Sequence, residues 1–367
     1  RQKILLLGEA SNLHWTLAEG LRSLGHQVTV ASNGSHWMDN SRDISLIRKS
    51  NGIIDSVKYL SKVLYHCKDF KGYDIVQIKN PVFFDLRPEK NLMIFRFLKK
   101  HNKKIFLSAL GTDHYYVKTC LEQKKLCYSD FFINGKPLQF PERQNIINAW
   151  IGGPNEKPNH EIAQEANGII ACLYEYYISY ENKYKNKLGY IPIPINLAQH
   201  PLKEISAFPQ TVNFFIGIQK DRSIIKGTDI LYDILKTIKN DYPRECNILK
   251  AESIPLTEYK IMMNKADVLL DQLYSYTPAT NALGAMAQGI IAVSGGEAEM
   301  YDFIGEKELH PIINVKPCRE DIYIKLENLI KSKRKIPQLA FESHEFIKRH
   351  HDHIKVAQQY LDFWSAH

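Results

Sequence analysis

The sequence predicts an α/β protein with two doubly wound parallel sheets, and three observations support this class. Short apolar runs alternate with helical patterns along the chain, which is typical of parallel strands joined by crossover helices. The chain of 367 residues is longer than a domain with one hydrophobic core usually is, and its length fits two domains of roughly 150 residues each. Residues 191–195, with prolines at alternate positions, interrupt the alternation because a proline holds its predecessor extended.

The N-terminal half opens with a strand, a helix and a second strand. The helix carries leucines at helical spacing and ends at Gly25. Residues 115–165 are aromatic and irregular, and their pattern predicts no definite elements. The strands predicted in this half span residues 4–7, 28–31, 74–78, 104–108 and 168–172.

The alternation restarts after residue 195. Helices are predicted over residues 229–238 and 278–288. A last helix carries four apolar residues at helical spacing, Ile354, Ala357, Leu361 and Trp364. The strands predicted in this half span residues 212–216, 267–270, 290–293 and 312–315.

Composition and charge exclude several classes of protein. The 40 acidic residues nearly balance the 48 basic ones, and the absence of a long basic block argues against a nucleic-acid partner. The net charge of +8 nevertheless suits phosphate ligands or an anionic membrane face. No apolar run reaches the roughly 18–20 residues that span a bilayer. The six cysteines lack paired or zinc-binding spacing, which predicts free thiols in a reducing cytosol.

Three loops that follow predicted strands carry candidate ligand-binding residues. Two doubly wound sheets that face each other form a cleft, and their ligands bind beyond the carboxyl ends of the strands. The loop after the strand at residues 212–216 contains Arg222, Lys226 and Gly227. Two cations can bind a diphosphate and stabilise the negative charge that builds on it when it acts as the leaving group. A glycine lets a ligand approach the backbone closely. The alternative is a solvated charged loop.

The second loop leads into the helix predicted over residues 278–288. Thr277 suits the N-cap position and Pro278 the first helical position. A helix start presents free N–H groups and the positive end of a dipole, which bind phosphate without a metal ion. Thr280 and Asn281 offer additional side-chain donors. The alternative is a buried, well-capped helix without a ligand.

The third loop follows the strand predicted over residues 104–108. Here Asp113 and His114 are placed to take a proton from an acceptor hydroxyl or to orient it. The alternative is that Asp113 caps the next turn while His114 packs nearby.

A fourth candidate is an acceptor or phosphate loop after the first strand. It contains Ser11, Asn12 and His14, and its glycine pattern is not G-x-G-x-x-G, which argues against NAD.

No metal site is predicted from the sequence. No Asp-x-Asp pair is present to hold a divalent ion beside a diphosphate. Four histidines lie near the C-terminus, and a polar helix start explains them better than a metal does. These are His344, His350, His351 and His353.

Several motifs, taken together, resemble a known family. The motifs are the Gly-His turn at residues 25–26, the linker at 191–195, the Arg-x-x-x-Lys-Gly loop at 222–227, Ala-Met-Ala at 285–287, and Gly-Gly at 295–296 ahead of Glu299. Their order, nearly end to end, is similar to that of the GT-B glycosyltransferases, specifically the family-four (group 1) nucleotide-sugar transferases. The stretch over residues 271–286 looks most like bacterial polysaccharide-building members.

The resemblance implies two Rossmann-like domains and gives each a role. Residues 1–192 would bind the acceptor and residues 193–340 the nucleotide sugar. Residues 341–367 would form a C-terminal helix that crosses back onto the first domain. In the family, an arginine and a lysine of the C-terminal domain grip the donor diphosphate, and these match Arg222 and Lys226. The implied donor is UDP- or GDP-linked, and no separate cofactor is expected.

One departure from the family bears on the chemistry. The family carries two glutamates eight positions apart, one near the transferred sugar and one on the donor ribose. The matching residues here are Tyr276 and Gly284. Glu297 and Glu299 in the next loop are the candidate substitutes. Retention of anomeric configuration is the family's usual outcome, and inversion stays open because both glutamates are missing.

The predicted function is metal-independent transfer of a sugar from a nucleotide-diphosphate donor to a hydroxyl of a glycan or lipid-linked glycan. The expected location is the cytoplasm, with peripheral contact to the inner membrane face left open. One alternative is a catalytically silent nucleotide-sugar-binding protein, which the departures at Tyr276 and Gly284 motivate. Another is a nucleotide-sugar 2-epimerase, which shares the two-domain fold.

Overall fold

The computed structural model describes residues 1–34, 39–138, 140–205 and 207–367. The chain divides into two compact units, each with its own parallel sheet. The first unit comprises Arg1–Lys125, Pro141–Pro194 and His353–His367, and the second comprises Leu126–Phe140 and Ile195–Asp352. The predicted class, two doubly wound α/β domains, is therefore confirmed.

Strands and helices alternate along both units. In chain order the strands are β1 (Lys3–Leu7), β2 (Gln27–Ser32), β3 (Ile44–Ser45), β4 (Ile75–Ile78), β5 (Lys104–Ala109), β6 (Phe132–Ile133), β7 (Lys136–Pro137), β8 (Gly168–Ala171), β9 (Leu188–Tyr190), β10 (Val212–Ile218), β11 (Cys246–Glu252), β12 (Val268–Leu270), β13 (Ile291–Ser294) and β14 (Ile313–Asn314). The helices are α1 (Leu13–Ser23), α2 (Ile53–His66), α3 (Pro88–His101), α4 (His114–Glu122), α5 (Pro141–Trp150), α6 (Glu156–Glu165), α7 (Tyr174–Tyr184), α8 (Ser223–Lys226), α9 (Thr228–Asp241), α10 (Leu256–Met263), α11 (Thr280–Ala287), α12 (Ala298–Ile304), α13 (Arg319–Lys331), α14 (Ile336–His350) and α15 (His353–Ala366).

The sheet of the first unit is parallel throughout and has the order β3-β2-β1-β4-β5-β8-β9. Its central strand β1 is a continuous apolar run because both faces of the sheet are covered. Leu5 and Leu7 join the core on one face, whereas Ile4 and Leu6 join the core on the other. The strand order reverses between β1 and β4, which marks the carboxyl ends of these strands as the expected ligand crevice.

The last helix, α15, belongs to the first unit and packs against α1. Gly20 permits this contact, because a Cβ atom at that position would lie only 2.4 Å from the carbonyl oxygen of His353. The indole N–H of Trp364 donates to Oε1 of Gln77 at 3.0 Å inside the core. The predicted return of the C-terminal helix to the first domain is confirmed for α15.

The sheet of the second unit is also parallel, with the order β11-β10-β12-β13-β14. Consecutive residues of β10 alternate between its two faces: Phe214 and Ile216 enter one core, and Phe215 enters the other. The order reverses between β10 and β12. The loops after these two strands therefore hold the expected crevice of this unit.

The domain boundaries differ from the expected ones in two places. Residues 126–140 belong to the second unit, because Ile133 and Leu138 pack against its core. Residues 341–352 also stay with the second unit as the end of α14, which packs against α11. The division at Pro194 and Ile195 lies two residues after the expected boundary at residue 192.

Most strands predicted from apolar runs are present, with ends that shift by one or two residues. The assignment of Thr277 as a helix N-cap and Pro278 as the first helical residue is wrong, because α11 begins at Thr280 with Ala279 at its N-cap. The Thr277 carbonyl instead accepts a hydrogen bond from the hydroxyl of Ser275 at 2.9 Å, within an irregular segment. The region 115–165, for which no elements were predicted, contains most of α4, the β6–β7 hairpin, α5 and α6.

Two other expectations concern the whole chain. None of the helices in the described ranges has both the length and the apolar character to cross a bilayer. The six cysteines are free thiols, as the spacing predicted.

Candidate functional site

The candidate site lies where the strand order of the second sheet reverses, in the loops after β10 and β12. The backbone N–H of Leu273 donates to the carbonyl of Lys226 at 2.9 Å and joins the two loops. Gly227 has a φ of +72°, and a Cβ atom there would lie 2.6 Å from Cβ of Leu273. Both the backbone conformation and the contact require glycine, so the close approach foreseen for Gly227 is made with Leu273.

Lys226 and Asp271 bring opposite charges to this junction. Burial raises the pKa of the Asp271 carboxyl, and the charge of Lys226 opposes that rise. Burial lowers the pKa of the Lys226 ammonium. The charge of Asp271 acts against this lowering, and the charge of Arg222 adds to it. Arg222 is exposed, and within the described ranges no carboxylate lies at ion-pair distance from it. The junction therefore combines an exposed arginine with a half-buried lysine and a buried aspartate whose charges interact.

Asp271 is held by the start of α11. The side-chain amide of Asn281 donates to its Oδ1 at 3.1 Å, and the hydroxyl of Ser294 lies 3.4 Å from its Oδ2. The Asn281 oxygen in turn accepts from the hydroxyl of Tyr259 at 3.1 Å. Sequence reasoning missed Asp271, although its position directly after the buried strand β12 was a usable signal.

The start of α11 itself is suited to an anion. Its N-cap, Ala279, offers no side-chain oxygen and so makes no side-chain cap hydrogen bond. Free N–H groups at a helix start bind phosphate oxygens, and the dipole favours negative charge there. Thr280 is half-buried at the first position of this helix.

The two positions that carry glutamates in the resembling family have other partners here. The hydroxyl of Tyr276 is buried and accepts from the backbone N–H of Cys127 at 2.8 Å. A Cβ atom on Gly284 would lie 3.0 Å from the imidazole Cε1 of His200, so that ring occupies the space of a longer side chain. His200 is a residue of the site that the sequence did not reveal.

The candidate substitute glutamates differ in availability. Glu297 is buried and accepts from the hydroxyl of Tyr128 at 2.6 Å, so its carboxylate is already bonded. Glu299 is exposed in the first turn of α12. The loop that carries both is pinned at Gly295, where a Cβ atom would lie 1.9 Å from the carbonyl oxygen of Ser275. Of the two, Glu299 is the one left free to meet a ligand.

The loop after β1 in the first unit is filled by its own carboxylate. Glu9 accepts from the backbone N–H groups of Ala10, His14 and Trp15 at 2.8, 3.1 and 3.0 Å. A phosphate cannot use these three N–H groups while Glu9 holds them, and the interpretation of this segment as an acceptor or phosphate loop stays a prediction. Burial raises the pKa of Glu9 to about 7, and the ammonium of Lys79 donates to its backbone carbonyl at 3.0 Å.

The three residues proposed for that loop have different surroundings. Ser11 and Asn12 adopt left-handed backbone conformations, with φ of 51° and 64°. His14 is buried and donates from Nδ1 to the carbonyl of Gly8 at 2.7 Å, and burial lowers its pKa to about 4. An acceptor role for the three residues stays a prediction.

Asp113 and His114 begin α4. The Asp113 carboxylate caps this helix by accepting from the N–H of Tyr116 at 2.8 Å, and it also accepts from the hydroxyl of Tyr180 at 2.6 Å. Burial raises the pKa of Asp113 to about 6. His114 donates from Nδ1 to the carbonyl of Trp150 at 2.8 Å. These contacts match the capping alternative, and the role in proton transfer stays a prediction.

Comparisons with known proteins define the class of fold. No family model and no curated protein sequence matches this chain. Among solved structures, sucrose-phosphate synthase from Thermosynechococcus elongatus matches with a TM-score of 0.61 at 15% identity, over 100% of both chains. HepE from Anabaena, in complex with UDP and glucose, matches with a TM-score of 0.58 at 11% identity, again over 100% of both chains.

Two further matches broaden the comparison. WaaG, a glycosyltransferase involved in lipopolysaccharide biosynthesis, matches with a TM-score of 0.56 at 12% identity over 100% of both chains. A UDP-N-acetylglucosamine 2-epimerase, so described in a structure from Listeria monocytogenes, matches with a TM-score of 0.56 at 9% identity over 98% of this chain and 95% of that one. The chain thus has the GT-B fold, as the resemblance predicted.

The junction in the second unit yields the first prediction. Replacing Arg222 or Lys226 by alanine should weaken binding of UDP or GDP about tenfold or more and hardly change binding of the bare nucleoside. A lost charge-assisted bond to phosphate is worth roughly 1.5–3 kcal/mol. Isothermal titration calorimetry measures both affinities. Lys220→Ala is the matched control, because this exposed lysine lies in the same loop beside Glu252. Equal weakening toward nucleoside and diphosphate would contradict the assignment.

The start of α4 yields the second prediction. Asparagine caps a helix as well as aspartate does, so Asp113→Asn preserves the cap and removes the proton acceptor. If Asp113 handles the acceptor proton, this variant should lose at least about 10²-fold in turnover at unchanged melting temperature. His114→Ala should lose turnover similarly, with donor affinity unchanged. Asp113→Ala is the control for capping and should cost roughly 0.5–2 kcal/mol of stability. Full turnover in the asparagine variant would leave only the structural role.

Proposed function

We propose that the protein transfers a sugar from a UDP- or GDP-linked donor to a hydroxyl of a glycan or lipid-linked glycan, without a metal ion at the diphosphate. The observation that carries this proposal is the junction between β10 and β12 in the second unit. There the charges of Lys226 and Asp271 interact, Arg222 adds a second positive charge, and Asn281 at the start of α11 donates to Asp271.

The chemistry follows from the charges at this junction. As the bond from the sugar to the diphosphate breaks, negative charge builds on the leaving oxygen. Two cations and a helix start stabilise that charge where it develops. Asp271, the carboxylate whose charge interacts with Lys226, is buried and bonded to Asn281, and we expect the diphosphate to bind without a metal ion. The fold is shared with HepE, whose structure contains UDP and glucose.

The stereochemical outcome is part of the proposal. Retention is the usual result in the resembling family, and we expect it here. Tyr276 and Gly284 cannot supply the two carboxylates of that family, so the sugar and the ribose would meet different groups. His200 beside Gly284 is the candidate ribose neighbour. Proton NMR of the first-formed product would distinguish an α from a β linkage.

Two alternatives rest on specific observations. The loss of both glutamates favours a protein that binds a nucleotide sugar without turning it over. The match to a 2-epimerase structure favours conversion of the donor sugar. A silent protein would bind donor and release no product, whereas an epimerase would convert donor with no acceptor present.

The third prediction tests the proposed function as a whole. Among UDP- and GDP-sugars, at least one should stabilise the protein, by about 2.7 kcal/mol at a hundredfold excess over its dissociation constant. That nucleotide sugar should be turned over when glycan acceptors are supplied, and excess EDTA should leave the rate unchanged. Turnover that stops in EDTA and returns with magnesium or manganese would contradict the metal-independent mechanism.

Peripheral membrane contact is a second part of the proposal, and helix α2 supports it. One side of α2 buries Tyr59 and Val63, while its other side exposes five large apolar residues. At 3.6 residues per turn these five fall within an arc of about 120°, and Lys58 and Lys62 border that arc. The five are Ile53 (83% exposed), Ile54, Val57, Leu64 and Tyr65.

An apolar helix face bordered by lysines fits an anionic membrane surface, because apolar side chains enter the acyl boundary and lysines attract the lipid phosphates. We name these five residues the α2 face. A lipid-linked acceptor would be presented at such a surface. The proposed occupant of the α2 face is therefore the bilayer that carries the acceptor.

The fourth prediction concerns this face. The wild-type protein should cosediment with vesicles containing phosphatidylglycerol and not with pure phosphatidylcholine vesicles. Ile54→Ser and Val57→Ser should each weaken this binding about tenfold, since each removes an inserted apolar side chain. Ile261→Ser is the matched control, an exposed isoleucine on α10. If the face instead seats a second copy of the chain, light scattering will show a dimer that these variants dissociate.

A further inference from the structure

Three side chains in the first unit form a second cluster, and one of them, His114, is also the residue whose role in proton transfer is a prediction above. His114 lies at the start of α4, and Glu156 and His160 lie one turn apart on α6. One ligating atom from each residue lies within 4.8 Å of the others. The imidazole rings of His114 and His160 are 4.5 Å apart between centroids, at an interplanar angle of 62°.

Hydrogen bonds orient both imidazoles. Nδ1 of His114 lies 2.8 Å from the Trp150 carbonyl, which can only accept, so Nδ1 carries a proton and Nε2 is the nitrogen of this ring that a metal ion would use. Nδ1 of His160 lies 2.6 Å from the hydroxyl of Tyr115, which is also bonded to the hydroxyl of Tyr184 at 2.7 Å. An outer hydrogen bond on one ring nitrogen is the usual arrangement of a metal-binding histidine.

The charges around the group leave the carboxylate without a permanent cation. Within 4.0 Å, the ion-pair partners of Glu156 among the described residues are His114 and His160 themselves. The backbone N–H of Gly152 donates to Oε2 of Glu156 and holds the carboxylate in place.

The group is open to solvent on one side. The side chains of Glu156 and His160 are 31% and 34% exposed. Both line a surface depression of about 400 Å³ together with Gly152 and Gly153. A metal ion bound here would have room for a water molecule as its fourth ligand.

We propose that His114, Glu156 and His160 bind one divalent transition-metal ion, Zn²⁺ in the first instance, and that the ion fastens α4 to α6. Two imidazole nitrogens and one carboxylate form a ligand set that suits zinc. Zn–N and Zn–O distances of about 2.0–2.2 Å require the three ligating atoms to draw closer than their present spacing. The ion would act structurally and is separate from the diphosphate-binding junction in the second unit.

The test measures zinc binding by the untagged full chain after chelator treatment and dialysis. Calorimetry should give one Zn²⁺ per chain, and the melting temperature should rise with zinc. Glu156→Gln and His160→Ala should each weaken zinc affinity more than tenfold while circular dichroism stays that of the wild type, because both side chains are partly exposed. Co²⁺ bound in place of zinc should give the visible absorption of a four-coordinate site. That absorption should disappear in both variants.

Two controls separate this site from its surroundings. His66→Ala removes a histidine paired with Asp69 elsewhere in the same unit and should leave zinc affinity unchanged. Tyr115→Phe removes the outer partner of His160 and should weaken zinc binding about 10–100-fold. Absence of zinc binding at micromolar concentrations, or binding that is equal in wild type, Glu156→Gln and His160→Ala, overturns the proposal. Nucleotide binding should be the same with and without zinc, so this test is independent of the proposed transfer.

Discussion

The close approach at Gly227 is the constraint on which the candidate site depends. Any side chain at this position would strike Leu273, and the φ of +72° is itself unfavourable for other residues. Because the two loops touch here, the backbone of Lys226 is hydrogen-bonded to the segment that follows Asp271. The charges of the half-buried lysine and the buried aspartate are then kept near each other, and each one offsets part of the other's desolvation. The charge of the exposed Arg222 acts on the same lysine.

At the two positions where this chain departs from the resembling family, Tyr276 and Gly284, other parts of the second unit make contact. Tyr276 takes the place of a carboxylate and holds the segment 126–140 through the N–H of Cys127. The same segment supplies Tyr128, whose hydroxyl engages Glu297 and whose ring lies 4.8 Å from that of Tyr276. At the other position, the absence of a side chain on Gly284 makes room for the ring of His200. Two positions associated with ligand binding in the resembling family are thus packing positions here, in contact with Cys127 and His200.

The sequence predicted those parts of the fold that depend on local apolar patterns. β1, β10 and α15 were found because their side chains are buried in continuous or helical runs. β11 was missed because it lies at the edge of its sheet, where Asn247 and Lys250 are exposed and break the apolar pattern. The site was predicted in part: the charged residues of the β10 loop were visible, but Asp271 and His200 matter through contacts with distant parts of the chain. Such contacts leave no periodic signal in the sequence.

The two sheets share a topology, but their reversal points differ in electrostatics. In the first unit, the carboxylate of Glu9 occupies the N–H groups at the start of α1, and its burial holds its pKa near 7. An anion that binds there would have to displace the Glu9 carboxylate, whose effective concentration is high because it is part of the same chain. In the second unit, the N-cap of α11 is an alanine, whose side chain leaves the N–H groups of that helix start to other partners. We therefore expect a diphosphate to bind more readily at the second of these places. This asymmetry, more than the shared fold, is our argument for the proposal that the donor binds the second unit and the acceptor the first.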